Sequence, residues 1–218
     1  MVLSMQSTAI RVPCGDIHME GALWLPENHL GVVLFANGSG SNRLKPPYDY
    51  VGSVLHNARL ATLWLDMVTL DERRTYQPRP SVALLAERLQ AACDWLQLNE
   101  STRELPIALF GSGYGAAAAL QLAVLRQRTI CAIVLRGGRP DLGSQMLAKV
   151  LAPTLLIVGS LDDGVLNANR SAYAALECKK RLEIIPGATH AFDEPGSLEV
   201  VARLARGWFL QHTHFALV

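Results

Sequence analysis

Residues Ile107 to Ala119 read Ile-Ala-Leu-Phe-Gly-Ser-Gly-Tyr-Gly-Ala-Ala-Ala-Ala, an apolar run that ends in three alternate glycines and passes into alanines. A short apolar run closed by turn residues predicts a buried strand, and the alanine-rich stretch after it predicts a helix with little side-chain bulk. A strand that enters a helix through so tight a glycine turn needs the helix to lie close against the sheet. That geometry suits layered α/β architectures.

The rest of the chain agrees. Short runs suited to buried strands recur at Val32 to Phe35, Ala61 to Leu65, Ile130 to Leu135, Thr154 to Val158 and Leu182 to Ile185. Helical periodicity lies between and after them, at Leu85, Leu89, Ala92 and Leu96, and at Leu198, Val201, Ala202, Ala205, Trp208 and Phe209. Strands alternating with helices predict a mostly parallel sheet covered on both faces. Ala9 to Val12 and His18 to Leu25, separated by Cys14-Gly15-Asp16, predict an antiparallel hairpin at one edge. Asp66 to Pro80 is the one long polar, proline-bearing stretch and predicts a loop over an end of the sheet. With 218 residues, half of them hydrophobic, the chain reads as a single domain spanning 1–218.

Ligands of open parallel sheets bind beyond the carboxyl ends of the strands, so the loops there are the ones to read. Gly111 and Gly115 flank the turn after Phe110 as in a G-x-S-x-G nucleophile elbow, which places Gly113 at the nucleophile position and Ser112 one residue early. Gly159-Ser160-Leu161-Asp162 follows the Thr154 strand, and Pro186-Gly187-Ala188-Thr189-His190 follows the last strand. Turn, acid and histidine in that order match the chain order of an α/β-hydrolase triad. Upstream, Asn37-Gly38-Ser39-Gly40-Ser41 is a glycine-rich loop of the kind that supplies an oxyanion-hole N–H. Taken alone, Leu161-Asp162-Asp163-Gly164 is also a common surface-turn composition, and His190 is also compatible with a structural role.

On these motifs, and on Arg136-Gly-Gly-Arg-Pro-Asp-Leu142, the chain resembles the dienelactone-hydrolase-like branch of the α/β-hydrolases from about residue 8 to residue 210. The resemblance implies the α/β-hydrolase fold and hydrolysis of small carboxylic esters or lactones. It also implies Asp162 as the acid, His190 as the base, and the backbone N–H groups of Ser39 and Tyr114 as the oxyanion hole. The sequence departs from that pattern at Gly113, which replaces the nucleophile, and at Asn37, which replaces a histidine. Without an oxygen or sulfur at 113 no acyl-enzyme forms, so activity is expected to be weak or absent. Ser112 or a His190-activated water is the available substitute. Asn37, Ser112, Arg43 and Arg136 are candidate substrate-binding residues, and Arg136 and Arg139 read equally as solvated loop charges.

Three function classes stay open: a hydrolase of small esters or lactones, a non-catalytic relative that binds a small ligand or partner, and a nucleotide-binding fold. The last is raised by Gly111-x-Gly113-x-x-Ala116, although several strands precede that turn and the next strand ends in Arg136 instead of an acid. Twenty basic residues against 19 acidic give a formal charge of +1, which offers nothing to nucleic acid or an anionic membrane surface. No apolar stretch reaches membrane-span length, and Met1 to Ile10 lacks the pattern of a secretory signal. Four scattered cysteines without a C-x-x-C pair suit a reduced cytoplasmic setting. No cofactor or metal is expected; His212-Thr213-His214 reads as a solvated tail before it reads as a metal site.

Overall fold

The computed structural model describes residues 7–37, 48–69, 72 and 80–213. They form an eight-stranded sheet in the order β1-β2-β4-β3-β5-β6-β7-β8. The strands are β1 (Ser7–Cys14), β2 (Ile17–Trp24), β3 (Gly31–Asn37), β4 (Leu60–Leu65), β5 (Ile107–Gly113), β6 (Ile130–Gly138), β7 (Thr154–Gly159) and β8 (Lys180–Ile185). β1 and β2 pair antiparallel, as the hairpin reading expects, and β2 pairs antiparallel with β4. Every remaining neighbour is parallel. This is the α/β-hydrolase fold.

The helices are α1 (Tyr48–Asn57), α2 (Val82–Leu98), α3 (Tyr114–Leu125), α4 (Asp163–Ala175) and α5 (Ser197–Thr213). A kinked 3-10 segment spans Pro140–Lys149. Strand residues alternate between two apolar layers, because successive side chains leave a sheet on opposite faces. Val32, Leu34, Leu109 and Leu135 pack with Leu85, Leu89 and Leu120 on one side. Val33, Phe35, Phe110 and Val134 pack with Leu55, Val201, Ala205 and Phe209 on the other. The helical spacing read at Leu85 to Leu96 is therefore a buried stripe of α2, closed at its start by Ser81, whose hydroxyl accepts from the Leu84 N–H.

Several segments depart from the sequence reading. α1, α4 and the 3-10 segment are elements that the sequence reading did not identify; α4 buries only Leu166, Asn169 and Ala172. β5 and β6 run beyond their apolar cores to Gly113 and Gly138. His212 is not part of a solvated tail: it is buried against Trp208, and its Nδ1 lies 2.8 Å from the Trp208 carbonyl. The helical register of α5 carries it inward. Its possible metal partner His214, and most of the Asp66 to Pro80 stretch, lie outside the described residues. Among the described residues no helix is long and apolar enough to cross a membrane.

One buried titratable group predicts how the fold responds to acid. His56 of α1 stacks on Trp24, and its Nε2 lies 2.8 Å from Thr62 Oγ1. Trp64 Nε1 donates to the same hydroxyl, which ties His56, Thr62 and Trp64 into one buried polar cluster. Burial holds its pKa down at about 4 against 6.5 for a free histidine. The unfolded chain then binds a proton that the folded chain refuses, so stability falls as pH drops from about 6.5 to about 4. The loss reaches about 3 kcal/mol at the lower end. Thermal melts across that range should show a steeper decline for the unaltered protein than for His56→Gln; parallel curves would refute the assignment.

Candidate active site

The turn after β5 is built by three glycines with different physical tasks. A Cβ on Gly111 would stand 2.9 Å from the Ala116 Cα, and one on Gly115 would stand 2.0 Å from the Ala36 carbonyl oxygen. Both positions are bare because α3 lies almost in contact with the sheet, as the run of small residues foretold. Gly113 differs. Its backbone sits at φ 52°, ψ −126°, a region costly for residues with a Cβ, yet a Cβ there would meet nothing within 4 Å. A side chain at 113 would therefore enter open space at the carboxyl edge of the sheet, directly before the first residue of α3, Tyr114. Ser112 is buried one step earlier, in register with Asn37 of β3, and its hydroxyl donates to Asn37 Oδ1 at 3.0 Å.

Two loops from the neighbouring strands meet beside this edge. Asp162 holds the N-cap position of α4, but its carboxylate makes no cap hydrogen bond. Its Oδ2 instead lies 2.7 Å from His190 Nδ1. The Asp162 side chain is 16% exposed and that of His190 62%, so the imidazole reaches toward solvent from a sheltered acid. The loops are sewn together through their backbones. Ser160 N–H donates to the Ile185 carbonyl, Leu161 N–H to that of Ala188, and Gly187 N–H to the Ser160 hydroxyl. Gly159 permits this approach, since a Cβ there would stand 2.3 Å from the Ala188 oxygen. Farther along, Glu194 Oε1 accepts from both the backbone N–H and the hydroxyl of Thr189. The His190 ring lies over Gly137, its Nδ1 and Cε1 3.5 Å from where a Cβ of that residue would be.

The dienelactone hydrolase family profile matches residues 70–216. This chain belongs to the dienelactone hydrolase family. A dienelactone hydrolase from Anabaena variabilis, seen in a crystal structure, is 46% identical, with a TM-score of 0.92 covering 96% of this chain and 99% of that one. Est1E from Butyrivibrio proteoclasticus superposes with a TM-score of 0.80 over 93% of this chain and 98% of its own, and its 17% identity shows a shared fold. A Mycobacterium tuberculosis protein provisionally named a phosphoribosyl transferase is 43% identical over 208 residues, which is 95% of this chain and 47% of that protein. The chain thus spans about half the length of this curated relative.

Around the acid and histidine of this dienelactone hydrolase family member, the arginines are both engaged. Arg136 is not a solvated loop charge: it is 8% exposed, and its Nη2 donates to the Ala191 carbonyl at 2.6 Å, with the guanidinium carbon 5.0 Å above the centre of the Phe192 ring. Arg139 is half-exposed and forms a two-point pair with Asp141, at 2.9 and 2.7 Å. Ser39 and Arg43 lie outside the described residues. Sequence reading missed three residues that build the site. Asn169 is fully buried, and its Nδ2 donates to the Gly138 carbonyl at 3.0 Å, bracing the end of β6. Phe192 is buried with a φ of 60°, an outlier for so bulky a residue, and Glu194 ties down Thr189. The only available signal was their closeness to His190 in sequence, and Asn169 had none.

Among the described residues no three metal-ligating side chains gather. An open groove of about 510 Å³ between the hairpin turn, α2 and α3, lined by Cys14, Trp95, Leu98 and Leu125, shares no residue with the site.

Proposed function

We propose that this chain is an α/β-hydrolase for small carboxylic esters or lactones in which Gly113 occupies the nucleophile position, so that the unaltered protein turns over weakly. His190 is the general base and Asp162 holds its ring in the productive tautomer. The first backbone N–H of α3, from Tyr114, and an N–H of the loop after Asn37, at Ser39, stabilise the developing oxyanion. Asn37, Ser112 and Arg136 support the substrate side of this edge, and Arg43 is proposed as a further substrate-binding residue.

The observation that carries the reading is the Asp162–His190 hydrogen bond at 2.7 Å, made at the expense of an α4 cap and set beside a positive-φ residue with open space where a side chain belongs. A helix N-cap carboxylate diverted to an exposed imidazole is a poor stabilising device and a good catalytic one. The family membership and the 46% identity to a dienelactone hydrolase support an ester or lactone as substrate. The phosphoribosyl transferase name belongs to a protein about twice as long, of which this chain matches 47%. Free thiols at all four cysteines fit a reducing, cytoplasmic setting.

Gly113 itself favours a second reading, a non-catalytic relative that keeps the Asp162–His190 pair to bind a small ligand or partner. Ester turnover by the unaltered chain separates the two. Slow hydrolysis of a short acyl ester that disappears in His190→Ala supports the enzyme; no hydrolysis above the buffer rate supports the binder.

A further inference from the structure

We infer that Arg136 is a positioning residue for His190, holding the imidazole on its acid by gripping the chain just beyond it. The inference rests on the reading of His190 as the base. Arg136 lies at the carboxyl end of β6, flanked by Ser112 of β5 and Ile157 of β7, so its main chain is held by the sheet on both sides. Its guanidinium reaches across to the two residues that follow His190. Nη2 donates to the Ala191 carbonyl at 2.6 Å, and the guanidinium plane covers the ring of Phe192. The next residue, Gly137, lies beside the His190 ring, which stands 3.5 Å from where a Gly137 Cβ would be. One short stretch of β6 thus runs beside the imidazole and holds its loop from beyond.

Such a grip has a physical reason. His190 is largely exposed, and a single hydrogen bond to Asp162 leaves its ring free to swing with its loop. Phe192 adopts a left-handed backbone conformation at φ 60°, which a bulky residue keeps only where its surroundings force it. A flat, permanently charged guanidinium supplies both the directed hydrogen bond and the face for the ring; an ammonium supplies the first alone. Asn169, donating to the Gly138 carbonyl, braces the same end of β6 from α4.

The test uses two independent readouts. In the unaltered chain, the His190 Nδ1–H resonance, bonded to Asp162, is followed by NMR in Arg136→Met, with Asp162→Asn as the reference for a lost bond. The resonance should vanish in both while the circular dichroism spectrum stays native. In Gly113→Ser, adding Arg136→Met should lower kcat about 10²-fold with little change in KM, as expected for a misplaced catalytic group, and Arg136→Lys should recover part of that loss. A folded Arg136→Met with the resonance intact, or with kcat unchanged, overturns the inference. Should Arg136→Met fail to fold, Arg136→Lys is decisive: a weakened resonance supports the grip, and an unchanged one overturns it. An inert Gly113→Ser protein would count against the proposed hydrolase alone, because the NMR measurement does not depend on turnover.

Discussion

Gly113→Ser is expected to raise the hydrolysis of a short acyl ester by on the order of 10³- to 10⁶-fold, because loss of the nucleophile in a serine hydrolase costs about that much. The space is already present: a Cβ at 113 meets nothing within 4 Å. The backbone is already bent to φ 52°, ψ −126°, so the new hydroxyl would leave the sheet edge without rearranging α3. The same conformation makes the substitution destabilising by about 1–2 kcal/mol, since an L-residue is strained at positive φ. Activity and stability should therefore move in opposite directions. The decisive measurement pairs ester turnover with labelling by a fluorophosphonate probe. Labelling confined to the serine variant, and lost again in Gly113→Ser with His190→Ala, would establish an intact site lacking its nucleophile. Equal turnover in both proteins would show that Ser112 or water suffices, and no turnover in either would remove the hydrolase reading.

Gly115→Ala should be the more damaging change, although it adds a single methyl group. Its Cβ would lie 2.0 Å from the Ala36 oxygen and 2.5 Å from the Ala36 carbonyl carbon, both backbone atoms of a central strand. No side-chain rotation relieves that overlap, so α3 must move away from β3 and open the layer that Ala116 and Leu120 fill. Forced overpacking of this kind costs about 3 kcal/mol or more. In a domain of this size that lowers the melting temperature by roughly 6–12 °C. A variant melting within about a degree of the unaltered protein would mean that the close approach of helix and strand is wrong. Gly113→Ala, with an open Cβ position, should be much milder, and the contrast between the two separates steric need from backbone need.

The layers were legible because strands buried on both faces must be apolar throughout, and the runs at Val32, Ile107, Ile130 and Thr154 contain little else. α2 and α5 were legible for the opposite reason: one face of each is buried, and the apolar spacing records it. α4 was not read from sequence; its buried face is short, Leu166, Asn169 and Ala172, and one of the three is polar. The candidate site divides the same way. Asp162 and His190 stand out in sequence because each ends a strand-loop motif at the proper edge. Their 2.7 Å hydrogen bond depends on two backbone bonds and one bond to the Ser160 hydroxyl between the two loops, and on a missing Cβ at Gly159.

By itself, the amino-acid sequence determined the alternation of strands and helices, the bare glycines of the β5–α3 turn and the order of turn, acid and histidine, because periodicity and side-chain size are local properties. Only the tertiary structure decided that the Ser112 hydroxyl bonds Asn37, that His212 is buried, and that the Arg136 guanidinium grips the loop of His190. Those contacts join residues from separate elements, and sheet register and helix packing, not neighbouring residues, bring such groups within bonding distance.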